Sequence, residues 1–86
     1  MKKNVPNSDF MYQGYKLGEF YPATILFAEE DEKVKFDNSS ILGLITNNPK
    51  AIAYGKEVVV KVTNINYHRA YLQNIPIEVE VMREIV

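Results

Sequence analysis

The chain of 86 residues contains no cysteine and a single histidine. Without cysteine it has no disulfide, no thiolate metal site and no thiol nucleophile, and this composition is typical of a reducing compartment. We therefore expect a cytoplasmic protein. His68 lies between Tyr67 and Arg69, which do not supply the carboxylate or imidazole partners of a metal ion. We expect no metal site and no cofactor.

Long apolar runs are also missing. The first residues, Met1-Lys2-Lys3, lead into a polar segment, so we expect neither a signal peptide nor a membrane-spanning segment, and no membrane partner. A chain of this length forms one core. We expect residues 1–9 to be a flexible arm and residues 10–86 to be a single small domain.

The chain has no excess of positive charge, since 10 Lys and Arg stand against 11 Asp and Glu, for a formal net charge of -1. Non-specific nucleic-acid binding depends on clustered cations, so this balance argues against a dominant phosphate-binding surface, although a local basic edge is compatible with it.

Catalytic and phosphate-binding motifs are absent as well. The three serines, Ser8, Ser39 and Ser40, lie in no nucleophile elbow, and the four glycines are scattered along the chain. The acidic run 29–32 lacks the glycine and the alternating oxygen ligands of a calcium loop. We expect no catalytic residues, and the protein is not predicted to be an enzyme.

Short runs of alternating apolar residues are what the chain does contain. In residues 56–63 three valines at even positions share one face, which predicts a central β-strand. In residues 77–85 the apolar residues Ile77, Val79, Val81 and Ile85 alternate with Glu78, Glu80, Met82 and Glu84, which predicts a strand with one buried and one solvated face. Residues 22–28 and 34–37 predict a hairpin with an acidic tip, and residues 10–17 predict one short irregular strand.

Three places depart from simple alternation. Residues 39–48 suit either a helix or a buried strand; we favour the strand because Gly43 would cost about 1 kcal/mol inside a helix. The apolar parity changes near Thr63 and Asn64, which predicts a bulge or a strand end. Tyr67 and Tyr71 are four residues apart, which suits one or two helical turns.

These patterns together predict the fold class. We expect an all-β fold, or a β-rich α+β fold, built as a small curled antiparallel sheet or barrel of five to six short strands with at most one or two short helical turns.

The six tyrosines are the main indication of function. Tyrosine suits recognition surfaces as well as the rims of cores, and the segment 67–71, which connects two predicted strands, combines tyrosines with a histidine and an arginine. The predicted binding residues are Tyr67, His68, Arg69, Tyr71, Tyr15 and Lys16.

Without a catalytic constellation, the protein is predicted to be a small cytoplasmic binding or regulatory module that occupies the surface of a protein partner, a phage-like inhibitor being one form it could take. The alternative is a β-barrel module that binds single-stranded nucleic acid or a nucleotide by aromatic stacking. The partner's identity and the oligomeric state do not follow from the sequence.

Overall fold

The protein is an all-β structure, as the sequence predicts. The computed structural model describes residues 11–26, 32–67 and 75–86. Seven strands lie in these ranges: β1 (Met11–Tyr12), β2 (Tyr15–Lys16), β3 (Phe20–Leu26), β4 (Lys33–Phe36), β5 (Leu42–Asn47), β6 (Glu57–Ile65) and β7 (Ile77–Glu84). In the part of the chain so described, no helix has the length and apolar character needed to cross a membrane.

Five of the strands close into a barrel in the order β3-β4-β5-β7-β6, and β1 and β2 form a separate hairpin. The first three barrel strands are an antiparallel meander, and β6 then returns to lie beside β3. This order, β6-β3-β4-β5, is a Greek key. The last strand, β7, fits between β5 and β6, parallel to the former and antiparallel to the latter. Closure leaves the barrel without an exposed sheet edge.

The barrel interior is filled by the alternating apolar residues of all five strands. In β6 these are Val58, Val60 and Val62, each with no exposed surface. Burial of a side chain of this kind contributes about 1.5 to 3 kcal/mol relative to leaving it in water. No polar or charged side chain is buried among the described residues. The other members of the core are Ala23, Ile25, Val34, Phe36, Ile65, Ile77, Val79 and Val81.

Gly43 is the one inward-facing position of β5 that carries no side chain. Phe36 fills the space instead: a Cβ atom placed on Gly43 would lie 3.2 Å from Phe36 Cε2 and 3.3 Å from Val34 Cγ2. The glycine that argued against a helix in this segment is therefore explained by the approach of an aromatic ring to the strand backbone.

Most strand predictions are confirmed. Residues 39–48 contain strand β5, so the helical alternative does not apply. The parity change in β6 coincides with a register shift between Val62 and Asn64, as expected of a bulge. The predicted hairpin is the antiparallel pair β3–β4. That β7 is parallel to β5 is not visible in the alternation pattern, because both kinds of pairing give a period of two.

The N-terminal stretch differs from its prediction. Instead of one irregular strand, it forms two strands of two residues each, Met11 pairing with Lys16 and Tyr12 with Tyr15. Gln13 and Gly14 both have positive φ, 49° and 93°, which is the backbone of a tight two-residue hairpin turn. The predicted arm 1–9, residues 29–31 of the predicted hairpin tip 29–33 and the helical turn predicted after Tyr67 lie outside the described residues. Lys33, predicted in the tip, begins strand β4.

Candidate functional site

Two of the predicted binding residues, Tyr15 and Lys16, lie on the β1–β2 hairpin, which sits against one end of the barrel. The Tyr15 ring centroid is 4.3 Å from that of Phe36 and 4.9 Å from that of Tyr21, so this half-buried tyrosine packs onto the barrel. The Lys16 backbone N–H donates a 2.8 Å hydrogen bond to the Tyr21 hydroxyl, while its side chain is exposed. The hairpin is thus held by an aromatic cluster, and only Lys16 of this pair faces solvent.

Tyr67 ties the end of β6 to the same hairpin. Its ring centroid is 5.5 Å from that of Tyr12 in an edge-on arrangement, and its hydroxyl donates a 2.6 Å hydrogen bond to the Met11 carbonyl. It nevertheless remains 38% exposed. The structure therefore brings Tyr67 next to the strand pair that carries Tyr15 and Lys16. His68, Arg69 and Tyr71 lie outside the described residues.

The outer face of β3, β4 and β5 contains none of the binding residues predicted from the sequence. On β4 the outward residues are Lys33 and Lys35, and the strand register sets Lys35 between Thr24 of β3 and Leu42 of β5. Within the described strands β3 to β5, the outward positions carry no carboxylate. These outward residues are Phe20, Pro22, Thr24, Leu26, Lys33, Lys35, Leu42 and Leu44, followed by the exposed Thr46 and Asn47 at the register shift of β5.

The carboxylates of the described strands are found on β6 and β7 instead: Glu57, Glu78, Glu80 and Glu84. Among the strand residues so described, the barrel surface therefore differs in charge: the outward positions of β3–β5 carry two lysines and no carboxylate, and three of the four strand carboxylates lie on β7. The alternating Lys33 and Lys35 are the sequence signal that could have revealed this division, although the position of β4 between β3 and β5 is needed to interpret it.

Phe20 is the exposed aromatic residue of the β3 outer face. Its accessible fraction is 54%, and the Nζ atom of Lys61, its cross-strand partner on β6, lies 5.9 Å from the ring centroid. The β7 neighbour of Lys61 is Glu80, whose carboxylate accepts a 3.0 Å hydrogen bond from Asn47 Nδ2. Among the described residues Lys61 forms no ion pair. The Lys61 cation therefore lies over the exposed Phe20 ring, at a distance that permits a cation–π contact.

The opposite end of the barrel has a cavity of about 330 Å³. Asn48 and residues 51–54 supply part of its lining. The Asn48 side chain accepts a hydrogen bond from the Ile52 N–H and donates one to the Ile52 carbonyl, which holds this connection in a compact loop. Tyr54 beside the cavity is 64% exposed. The lining residues are Ile25, Leu26, Glu32, Asn48, Ala51, Ile52, Ala53 and Tyr54.

Nothing in these surfaces resembles a metal centre. Across residues 11–26, 32–67 and 75–86, no group of three or more histidine, aspartate or glutamate side chains is arranged to hold a metal ion. The chain matches no protein family, no curated protein and no solved structure. Any functional assignment therefore depends on the geometry and charge of the surfaces described above.

Proposed function

We propose that this protein is a cytoplasmic, non-enzymatic binding module whose ligand is single-stranded nucleic acid, held on the outer face of β3–β5. The first support is the topology. A five-stranded Greek-key barrel is the architecture of the oligonucleotide/oligosaccharide-binding fold, in which the face of the second and third strands and the loops joining strands one to two and four to five contact the ligand.

In that correspondence, β4 and β5 take the places of the second and third strands, because β3 is the first strand of the barrel. The connection between β6 and β7 takes the place of the loop between strands four and five. His68, Arg69 and Tyr71 belong to this connection in the sequence. Fold analogy alone assigns no function, so the chemistry of the face has to support it.

The observation that carries the proposal is the charge division of the barrel. Lys35 is exposed at the centre of the outer face of β3–β5, and the described outward positions of these strands include no carboxylate. Leu42, its partner on β5, offers an apolar contact. Proteins that bind single strands without sequence preference combine such a cationic track with surfaces for the bases. Exposed lysines on one face can attract a polyanion even when the net charge of the chain is -1.

The test is fluorescence anisotropy with a labelled oligothymidylate of about 15 nucleotides, a length within the range that one such barrel covers. Lys35→Ala should weaken binding. Lys56→Ala is the matched control, because Lys56 lies 3.8 Å from Glu84 on the acidic side of the barrel. Binding that is lost equally in both variants, or in neither, would argue against the β3–β5 face.

A protein partner is the second candidate, favoured by the exposed Tyr54 beside the cavity at the other end of the barrel. Exposed tyrosines suit protein interfaces, because they combine a large apolar ring with a polar end. Under this candidate, a partner recovered from nuclease-treated cytosolic extract should bind the wild type and Lys35→Ala equally, and should bind Tyr54→Ala at least about fivefold more weakly.

A further inference from the structure

We propose that Phe20 is a platform on which a base of the bound single-stranded nucleic acid stacks, at one end of the outer face of β3–β5. We further propose that Lys61 contacts the adjoining phosphate. This inference rests on the proposed function, because the occupant of the platform is a base of the same single strand that crosses β4. It assigns a stacking role to Phe20, at one end of the β3–β5 face, and adds Lys61 of β6, which that face does not include.

The first argument is continuity along the outside of β3. Phe20, Pro22 and Thr24 alternate on its outer face, and Thr24 is the cross-strand partner of Lys35. At about 3.3 Å per residue, Phe20 and Thr24 are about 13 Å apart. A single-stranded oligonucleotide that contacts Lys35 can therefore reach Phe20 along the outside of β3. The outward β3 residues on this path, Thr24 and Pro22, carry no charge.

The second argument is the state of the Phe20 ring. Tyr15 and Tyr21 are packed against each other and against Phe36, and Phe36 has no exposed surface. Phe20 instead leaves 54% of its surface accessible. Phenylalanine has no polar atom that water can satisfy, and its flat face can stack on any base without regard to sequence.

The third argument is the cation beside the ring. Lys61 Nζ lies 5.9 Å from the Phe20 centroid, and the neighbouring Glu80 carboxylate is hydrogen-bonded to Asn47. In the described part of the chain the ammonium group has no carboxylate partner within ion-pair distance. A base on Phe20 would therefore bring its phosphate close to a cation, which is the combination that single-strand binding uses.

Tryptophan fluorescence tests this proposal, because the chain contains no tryptophan of its own. In Phe20→Trp the indole is the only tryptophan, so its fluorescence reports stacking directly. We expect unlabelled oligothymidylate to quench it. Tyr54→Trp, which places the indole at the opposite end of the barrel on another exposed aromatic position, should stay unquenched.

A second variant measures the affinity. Phe20→Ala should bind labelled oligothymidylate about fivefold or more weakly than wild type, with a melting temperature within a few degrees because the side chain is exposed. Oligonucleotide binding by anisotropy without quenching of Trp at position 20, or with wild-type affinity in Phe20→Ala, would overturn the platform while leaving the proposed function in place. No binding by the wild-type protein would overturn both.

Discussion

Replacing Gly43 with valine tests whether the interior of the barrel is organised around the contact between Phe36 and the β5 backbone. A Cβ atom at position 43 would already lie 3.2 Å from Phe36 Cε2 and 3.3 Å from Val34 Cγ2, short of the 3.5 to 4.0 Å at which carbon atoms attract each other best. The two further methyl groups of valine would have to enter space that the ring occupies.

Two opposing contributions determine the size of the effect. Overpacking of a filled core costs about 1 to 3 kcal/mol. Removing a glycine from a strand returns about 0.5 to 1 kcal/mol. We therefore expect Gly43→Val to lower the free energy of unfolding by about 1 to 2 kcal/mol, which for a domain of this size lowers the melting temperature by roughly 5 to 15 °C. Gly43→Ala should fall much closer to wild type.

The assay is urea denaturation followed by circular dichroism, with Leu44→Val as the control on the outer face of the same strand. A smaller ring should relieve the crowding, so Phe36→Leu combined with Gly43→Val should be at least about 0.5 kcal/mol more stable than the sum of the single changes. A gain in stability for Gly43→Val would mean that position 43 faces solvent, where a β-branched residue favours a strand, and would refute the packing described here.

The remaining predictions concern the core, the hairpin and the β6–β7 connection. Val60→Asp should unfold the domain, because it leaves an unpaired charge in the apolar interior; a circular dichroism spectrum and melting temperature like those of wild type would contradict this. Tyr67→Phe removes the hydrogen bond to Met11 and should cost about 0.5 to 1.5 kcal/mol in thermal denaturation, whereas no change would mean that this hydrogen bond does not contribute to stability. His68→Ala combined with Arg69→Ala should keep the melting temperature within a few degrees and weaken oligonucleotide binding by at least about 1 kcal/mol in anisotropy; full affinity would remove both residues from the site.

The parts of the fold that could be predicted from the sequence are those determined by local alternation. The valines of β6 and the apolar residues of β7 indicate their strands and their buried faces, and the parity change indicates the bulge near Thr63. Gly43 correctly favoured a strand, although its reason is the Phe36 ring, which is distant in sequence. Strand order and the parallel pairing of β5 with β7 depend on non-local contacts that alternation does not encode.

The candidate site was less predictable for the same reason. The type of each aromatic residue is evident from the sequence, but whether its ring packs or faces solvent depends on its tertiary neighbours. Tyr15 is packed on Phe36, while Phe20 on the outside of β3 is exposed. The net charge of -1 likewise concealed a division between β4 and β7 that appears only when the strands are placed around the barrel.

The salt dependence of oligonucleotide binding tests the central proposal most directly. For a single strand, the logarithm of the binding constant should fall linearly with the logarithm of salt concentration, with a slope of about -0.7 for each phosphate neutralised. Contacts from Lys35 and Lys61 alone predict a slope of about -1.4 between roughly 50 and 200 mM salt, and Lys35→Ala should make it shallower by about 0.7 while Lys56→Ala leaves it unchanged. Binding that is absent at low salt, or that does not respond to salt or to Lys35→Ala, would contradict the proposal.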